Sequence, residues 1–281
     1  MTAESKIAKA ASLLLHSPPG EVDDVFNDIR GIVGDDDALQ EHIGAVLAES
    51  NMQEFLVVQV PSKEESRVLL TPYNRVGDSS RFVDPNTHTS FEFDHLHRTA
   101  AEPQEHEAST EEQANEELRA AIQQELNSYV DAHYAEGTAC VFWHEGTVVS
   151  CIVSNRFSPE NFWNGSWRAV WSFDPASGQL NGSAKVKVHY FEDGNVQLDT
   201  QSDFAADISS QASPKETATK VAKLVREYEA DFQQSIADGY RQLSEKTFKG
   251  LRRALPVTRN KIDWEKIANY RLGGELASAE N

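Results

Sequence analysis

Between Thr138 and Gln201 the sequence runs through five successive stretches of strand-like residues, and no other part of the chain restricts the fold as strongly. Thr138 to His144 and Thr147 to Ser154 flank Glu145-Gly146, which reads as a hairpin turn. In that register Cys140 faces Cys151. Ser166 to Phe173 sets Trp167, Ala169, Trp171 and Phe173 against Arg168, Val170 and Ser172. Ala184 to Phe191 sets Val186, Val188 and Tyr190 against Lys185, Lys187 and His189. Asp193-Gly194 then turns the chain into Asn195 to Gln201. Five consecutive strands with short links predict an antiparallel meander with one covered face.

The cover follows in the sequence. Ser213-Pro214-Lys215-Glu216 is a capping box with proline at the first helical position. Val221, Leu224, Val225, Tyr228, Phe232, Ile236, Tyr240, Leu243 and Phe248 then recur every three or four residues, which marks one apolar stripe. Such a helix runs some 35 residues, about 50 Å at ~1.5 Å per residue. Five strands ~4.8 Å apart do not need that length. The mismatch predicts a second sheet, from a partner, lying beside this one. Pro256 bars the helix from continuing unbroken.

Ahead of the sheet, residues 1–50 read as a bundle of three short helices. Their inward positions are Ile7, Ala8, Ala11, Leu14 and Leu15, then Val22, Val25, Phe26, Ile29 and Val33, then Leu39, Ile43, Val46 and Leu47. Pro18-Pro19-Gly20 and Gly34 separate them, and Asp35 to Asp37 cap the third. Residues 51–110 read as a small β-rich region. Its strand candidates are Phe55 to Val58, Val68 to Leu70, Arg81 to Val83 and Ser90 to Phe93, broken by Pro61, Pro72 and Pro85. Ala101 to Ala114 is acidic and nearly free of apolar residues, so it reads as a solvated loop. Glu116 to Tyr134 reads as a helix whose face is Leu118, Ile122, Leu126, Tyr129 and Val130. The expected organisation is therefore 1–50, 51–110, 111–250 (helix, five-stranded sheet, long helix) and a basic amphipathic tail over 251–281. The class is α+β.

The chain has 281 residues and a formal net charge of −19, with two cysteines. No apolar run reaches the ~18 residues that span a bilayer, and the N-terminus lacks the layout of a secretory signal. The sequons at Asn164 and Asn181 are thus expected to be idle, and the two thiols suit a reducing cytosol. Cross-strand cysteines can form a disulfide, but two buried thiols are expected here. The acidity argues against nucleic acid as the main partner.

Signatures of the common nucleotide-binding, serine-hydrolase and zinc-protease sites do not occur. His88, His95, His97 and Asp94 lie close in sequence, but without cysteines or an i, i+4 histidine pair they read as surface residues rather than metal ligands. Asp35 to Asp37 lack the glycine and distal glutamate of a calcium loop and read as a helix cap. Trp163, Trp167 and Trp171 read as core rather than as a base-stacking platform. No cofactor is expected.

One segment reverses the charge of the chain. From Lys246 to Arg271 there are eight Lys/Arg and two acids, a net +6. Lys246, Lys249, Arg252 and Arg253 could serve only to complement the dipole of the long helix. Arg259, Lys261, Lys266 and Arg271 lie past Pro256 and cannot. Ile262, Ile267, Tyr270, Leu272 and Leu276 make the chain end amphipathic. A basic amphipathic terminus docks in a partner's groove or lies on a membrane.

Several long motifs resemble the F-actin-capping protein α-subunit family. They are Asn161-Phe162-Trp163-Asn164-Gly165-Ser166-Trp167-Arg168, Val188 to Leu198, and Leu251 to Trp264. Pro18-Pro19-Gly20-Glu21, Val25-Phe26-Asn27-Asp28 and Phe93-Asp94-His95-Leu96 fit as well, so the resemblance covers essentially the whole chain. It implies an obligate heterodimer with a β subunit, each subunit giving five strands to one ten-stranded sheet crossed by two long antiparallel helices. It also implies a non-enzymatic function: calcium-independent binding at the filament barbed end, without severing, that blocks subunit gain and loss. The actin-binding positions it implies are Lys249, Arg253 and Arg259. Arg252 and Lys261 are added on charge, and Ile262, Trp264, Ile267 and Leu272 belong to the amphipathic end. Polyphosphoinositides would compete at Lys249, Arg253 and Arg259, and capping regulators would be further partners. The expected location is the cytoplasmic actin cytoskeleton, at cortical actin patches. Gly250, where the family pattern has alanine, would loosen the helix end by roughly 1 kcal/mol; Gly273-Gly274-Glu275 make the tail less basic than the pattern. The alternatives are a phosphoinositide-regulated membrane adaptor and a hydrolase using His95, Asp94 and His97.

Overall fold

The computed structural model describes residues 3–63, 65–192, 194–208 and 213–243. The chain divides into two compact units, Met1–Glu229 and Ala230–Asn281.

The first unit opens with the three expected helices: α1 (Ala3–Ala11, extended by a 3-10 turn over Ser12–His16), α2 (Val22–Val33) and α3 (Asp36–Gln53). Gly34 stops α2 in the left-handed conformation at φ 67°, where its N–H reaches the Arg30 carbonyl. The Asp35 carboxylate then accepts the Ala38 N–H at 3.0 Å and starts α3. The aspartate run is a helix cap, and Asp36 also pairs with Arg30. Ala11, Leu14, Ile29, Leu39, Ile43 and Leu47 form the core of this bundle.

The middle region carries β1 (Val57–Gln59) paired with β2 (Arg67–Leu69), and a second small sheet of β3 (Arg81–Asp84), β4 (Thr89–Asp94) and β5 (Thr99–Glu105). Here the sequence reading needs correction. Ala101 to Glu105 is not loop but most of β5, paired to β4, and helix α4 (Thr110–His133) already covers Thr110 to Ala114. As an edge strand β5 is exposed along nearly its whole length, so it needs no apolar alternation, and it tolerates Pro103 for the same reason. The start of α4 is fixed by a capping box. The Ser109 hydroxyl accepts the Glu112 N–H at 3.3 Å, and the Glu112 carboxylate accepts the Ser109 N–H at 2.6 Å.

The five-stranded meander is present: β6 (Gly137–His144), β7 (Thr147–Ser158), β8 (Trp163–Phe173), β9 (Gln179–Tyr190) and β10 (Val196–Asp207), antiparallel and in sequential order. Cys140 pairs with Cys151 as expected, and both are buried free thiols. A second correction concerns the faces, because the second one is covered too over β6 and β7, while β10 leaves it exposed. Every residue from Val148 to Val153 is buried. One face meets α4 and the long helix α5 (Pro214–Gln242). The other shares a continuous core with the middle region, in which Phe82, Phe91, Phe93 and Leu70 cluster with Cys140, Phe142, Val149, Cys151 and Val153. The apolar second face of β6 and β7 is what the middle region packs on.

The N-terminal bundle is tied to the same second face by polar side chains. Glu54 pairs with Arg168 and with Lys187 (3.0 Å), and Arg168 also donates to the Glu54 carbonyl at 2.8 Å. Glu21 accepts from Asn164 at 3.1 Å and meets His189 Nδ1 at 2.6 Å. His189 is therefore buried while its neighbour Tyr190 stays exposed. Asn164 is held inside the fold and cannot serve as a glycosylation acceptor.

Candidate functional site: an open sheet edge and the seat of the long helix

The two edges of the large sheet are treated differently. On β6 the backbone of Ala139 and Val141 faces outward, where another strand would pair. Side chains of α4 take those bonds instead. Gln123 accepts the Val141 N–H at 2.9 Å and donates to the Ala139 carbonyl at 2.8 Å, while Arg119 donates to the Val141 carbonyl at 3.1 Å. One side-chain amide thus stands in for a neighbouring strand and closes the edge. Arg119 is held in place by Glu116 and Asn86. On β10, by contrast, no strand among the described residues pairs with the outer edge. From Gln197 onward its residues alternate. Gln197, Asp199, Gln201, Asp203, Ala205 and Asp207 are exposed, and Leu198, Thr200, Ser202, Phe204 and Ala206 are half-buried on the face that carries the helices.

That face seats α5. Proline starts the helix, and the Ser213 hydroxyl accepts the Glu216 N–H at 3.2 Å. Ala218, Val221, Ala222 and Val225 are buried along its first turns. Tyr228 meets Trp171 edge-on at 5.3 Å and lies 4.8 Å from Phe204. Gly182, between Trp171 and Phe204 in the sheet, makes the contact possible: a Cβ there would lie 2.2 Å from the Trp171 ring. Trp167 and Trp171 are core, as expected from the sequence, whereas Trp163 is only half-buried, with Arg156 over its ring at 5.9 Å.

Beside this cluster α5 buries Glu229 completely. Its carboxylate accepts the hydroxyls of Tyr129 (2.7 Å) and Tyr134, which lie on and just after α4. Burial pushes the Glu229 carboxyl upward, and the hydroxyls of Tyr134 and Tyr129 and the indoles of Trp171 and Trp167 partly offset it. Burial, with Glu229 beside them, raises both tyrosines in turn. Arg226 lies over the Tyr129 ring at 5.7 Å. These contacts fix α5 against α4 and the sheet at one register. In the second unit the helix ends with Tyr240 51% exposed, and Leu243 beyond it is 46% exposed. Sequence reasoning missed Glu229: a lone glutamate on an apolar stripe shows only as a break in the pattern.

The expected actin- and phosphoinositide-binding residues (Lys249, Arg252, Arg253, Arg259, Lys261, Ile262, Trp264, Ile267 and Leu272), with Gly250, all lie outside the described residues. The histidine group does not converge on one centre. His97 pairs with Asp94 at 2.7 Å, while His95 packs edge-on against Phe93 and Phe82 and meets Asn51, with burial lowering its pKa. Among the described residues no group of three or more His, Cys, Asp or Glu is placed to hold a metal ion. No described helix is long and apolar enough to cross a membrane.

The class defined by these features is an α+β protein whose five-stranded antiparallel sheet has, among the described residues, one edge closed by side chains and one edge without a strand partner, with α4 and the start of the long helix α5 on one face. The sequence profile of the F-actin capping protein alpha subunit matches residues 10–275. The F-actin-capping protein subunit alpha of Caenorhabditis elegans is 37% identical over 277 residues, 96% of this chain and 97% of that protein. The subunit of Chaetomium thermophilum is 37% identical over 278 residues, covering 98% and 97%. That of Dictyostelium discoideum is 33% identical over 279 residues, covering 95% and 96%. A solved structure titled as the homodimeric actin capping protein alpha subunit from Plasmodium berghei superposes with a TM-score of 0.67 at 22% identity, over 83% of this chain and 90% of that one, and so shares the fold. The chain belongs to the F-actin capping protein alpha subunit family.

Proposed function

We propose that this chain pairs with a β subunit and that the heterodimer blocks subunit addition and loss at actin filament barbed ends, calcium-independently and without severing. The observation that carries the reading is the extent of the family match. It runs through residue 275 and so includes the cationic segment from Lys246 to Arg271. In this reading Lys249, Arg253 and Arg259, with Arg252 and Lys261, attract the acidic end of the filament and speed association. Ile262, Trp264, Ile267 and Leu272 dock in a groove of a terminal actin. Polyphosphoinositides compete for Lys249, Arg253 and Arg259, and capping regulators act on the same complex. Its place is the cytoplasmic actin cytoskeleton, at cortical patches. The tail over 251–281 is the binding module, and the bundle, middle region and sheet are its support. The protein acts by binding, not by catalysis.

Pairing with a β subunit is supported by the open edge of β10 and by the exposed Tyr240 and Leu243. A twelve-residue edge strand whose outer side has no partner among the described residues is a template for another strand. A helix that keeps its apolar stripe beyond the first unit suits a second sheet.

Single-filament fluorescence microscopy tests the site assignment. The heterodimer carrying Lys249→Ala, Arg253→Ala and Arg259→Ala is expected to arrive at barbed ends at least tenfold more slowly while remaining a heterodimer. Unchanged arrival would reject these residues as the binding site. Strong binding of the wild-type heterodimer to anionic vesicles, with no effect on barbed ends, would favour a membrane adaptor instead.

A further inference from the structure

The open strand is not neutral. On its exposed face Asp199, Asp203 and Asp207 recur every fourth residue, with Gln201 and Ala205 between them. Within the sheet only the first of the three meets a cation among the described residues: Lys185 on β9 lies 3.2 Å from Asp199. Lys187, directly across from Asp199, turns instead to Glu54. Asp203 accepts from Gln201 at 3.1 Å, which holds its carboxyl below the usual range and keeps it an anion. Any strand that joins β10 therefore meets a row of carboxylates.

We propose that this row selects the partner: it favours an edge strand with Lys or Arg on the same face, and it opposes pairing with a second copy of this chain. The inference rests on the heterodimer reading above and adds to it the chemistry of the joining strand. Self-pairing across a two-fold axis normal to the sheet keeps each face on its own side, so the carboxylate rows of the two copies meet. Centred on Gln201, the register puts Asp199 directly opposite Asp203 of the second copy. Moved one residue, to Ser202, it puts Asp203 diagonal to both Asp199 and Asp203 of the second copy. Because the row repeats every fourth residue, further shifts alternate between these two arrangements. Directly opposed side chains stand ~5 Å apart and diagonal ones ~7 Å apart, both within range of like-charge repulsion. A strand with cations at those places converts each repulsion into a cross-strand pair. The backbone bonds are the same in both cases, so the charges decide between the partners.

The test uses the chain co-expressed with its cognate β subunit. Heterodimer dissociation is followed by exchange with labelled subunit at low and high salt, and self-pairing by native mass spectrometry. The variant Asp199→Asn/Asp203→Asn/Asp207→Asn is expected to dissociate about tenfold faster at low salt, to lose most of the salt dependence, and to give more self-paired chain. These side chains are exposed, so folding is not at stake; near-ultraviolet circular dichroism checks it. Neutralising Glu111, Glu117 and Asp131, exposed on α4 beside the closed edge, is expected to change nothing. Wild-type rates, salt dependence and self-pairing in the β10 variant would overturn the inference while leaving the heterodimer standing. Failure of the wild-type chain to pair with the β subunit at all would overturn the heterodimer reading, and this inference with it.

Discussion

Cys140 and Cys151 face each other across β6 and β7 and yet remain thiols. Burial pushes Cys140 up to about 12 and Cys151 well above its ordinary value, so neither supplies the thiolate that reacts. Both are expected to resist a thiol reagent such as iodoacetamide in the folded protein and to label fully in denaturant. Fast labelling of the native protein would contradict their place in the shared core. Glu229 gives a pH signature. Its folded pKa is raised above the ordinary 4.5, so the folded state holds the proton more tightly than the unfolded chain. The stabilisation that protonation brings is complete below about pH 4.5 and is lost as pH rises through the folded value. Glu229→Gln is neutral at every pH. The melting temperature of the wild type relative to this variant should therefore be highest in acid and fall as pH rises; a constant difference would remove the titration. The cysteine pairing was legible from the hairpin register. Glu229 was not, because its partners come from the end of α4 (Tyr129 and Tyr134) and from β8 (Trp171), which only the tertiary fold brings to α5.

The elements are joined by a few contacts that local sequence does not show. Glu54, at the end of α3, neutralises Arg168 and Lys187 from two adjacent strands, and all three are largely withdrawn from water. Glu54→Gln would leave two such cations without their counter-charge, at a cost of about 3 kcal/mol in denaturant unfolding. Less than 0.5 kcal/mol would mean that the apolar contacts alone hold the bundle to the sheet. Gly182 is the second such point. Alanine there would drive a methyl into the Trp171 ring and force β8, β9 and α5 apart, destabilising by about 2 kcal/mol. A neutral Gly182→Ala variant would show that the ring can move aside. Strands and helices with strong periodicity were readable from sequence: the five-stranded meander, the bundle and α5. The edge strand β5 was not, since a strand exposed along its length lacks the alternation that identifies strands. The second covered face was also hidden, because consecutive buried residues in β7 look the same whether one layer or two packs on the sheet.

At the scale of the whole molecule the two sheet edges define the architecture. Gln123 and Arg119 seal β6, and no strand among the described residues pairs with the outer edge of β10. In the proposed heterodimer the β10 amides whose N–H points outward gain a strand partner. Hydrogen exchange at Val196–Asp207 is expected to slow at least tenfold on β-subunit binding, while β6 is unchanged. Equal exchange in both states would place the partner elsewhere. The length mismatch between α5 and a five-stranded sheet was visible in the sequence before any strand was paired, and the charge reversal after Lys246 was equally plain. Which side chains of that segment touch a partner was not, because charge and amphipathicity define a surface but not its contacts. The central claim, that this chain is the filament-binding half of a barbed-end cap, is tested most directly by pyrene-actin elongation from barbed-end seeds. The co-expressed heterodimer is expected to stop growth at about nanomolar concentration, and the heterodimer lacking residues 256–281 to lose most of that effect. Undiminished growth in the presence of intact, correctly paired heterodimer would contradict it.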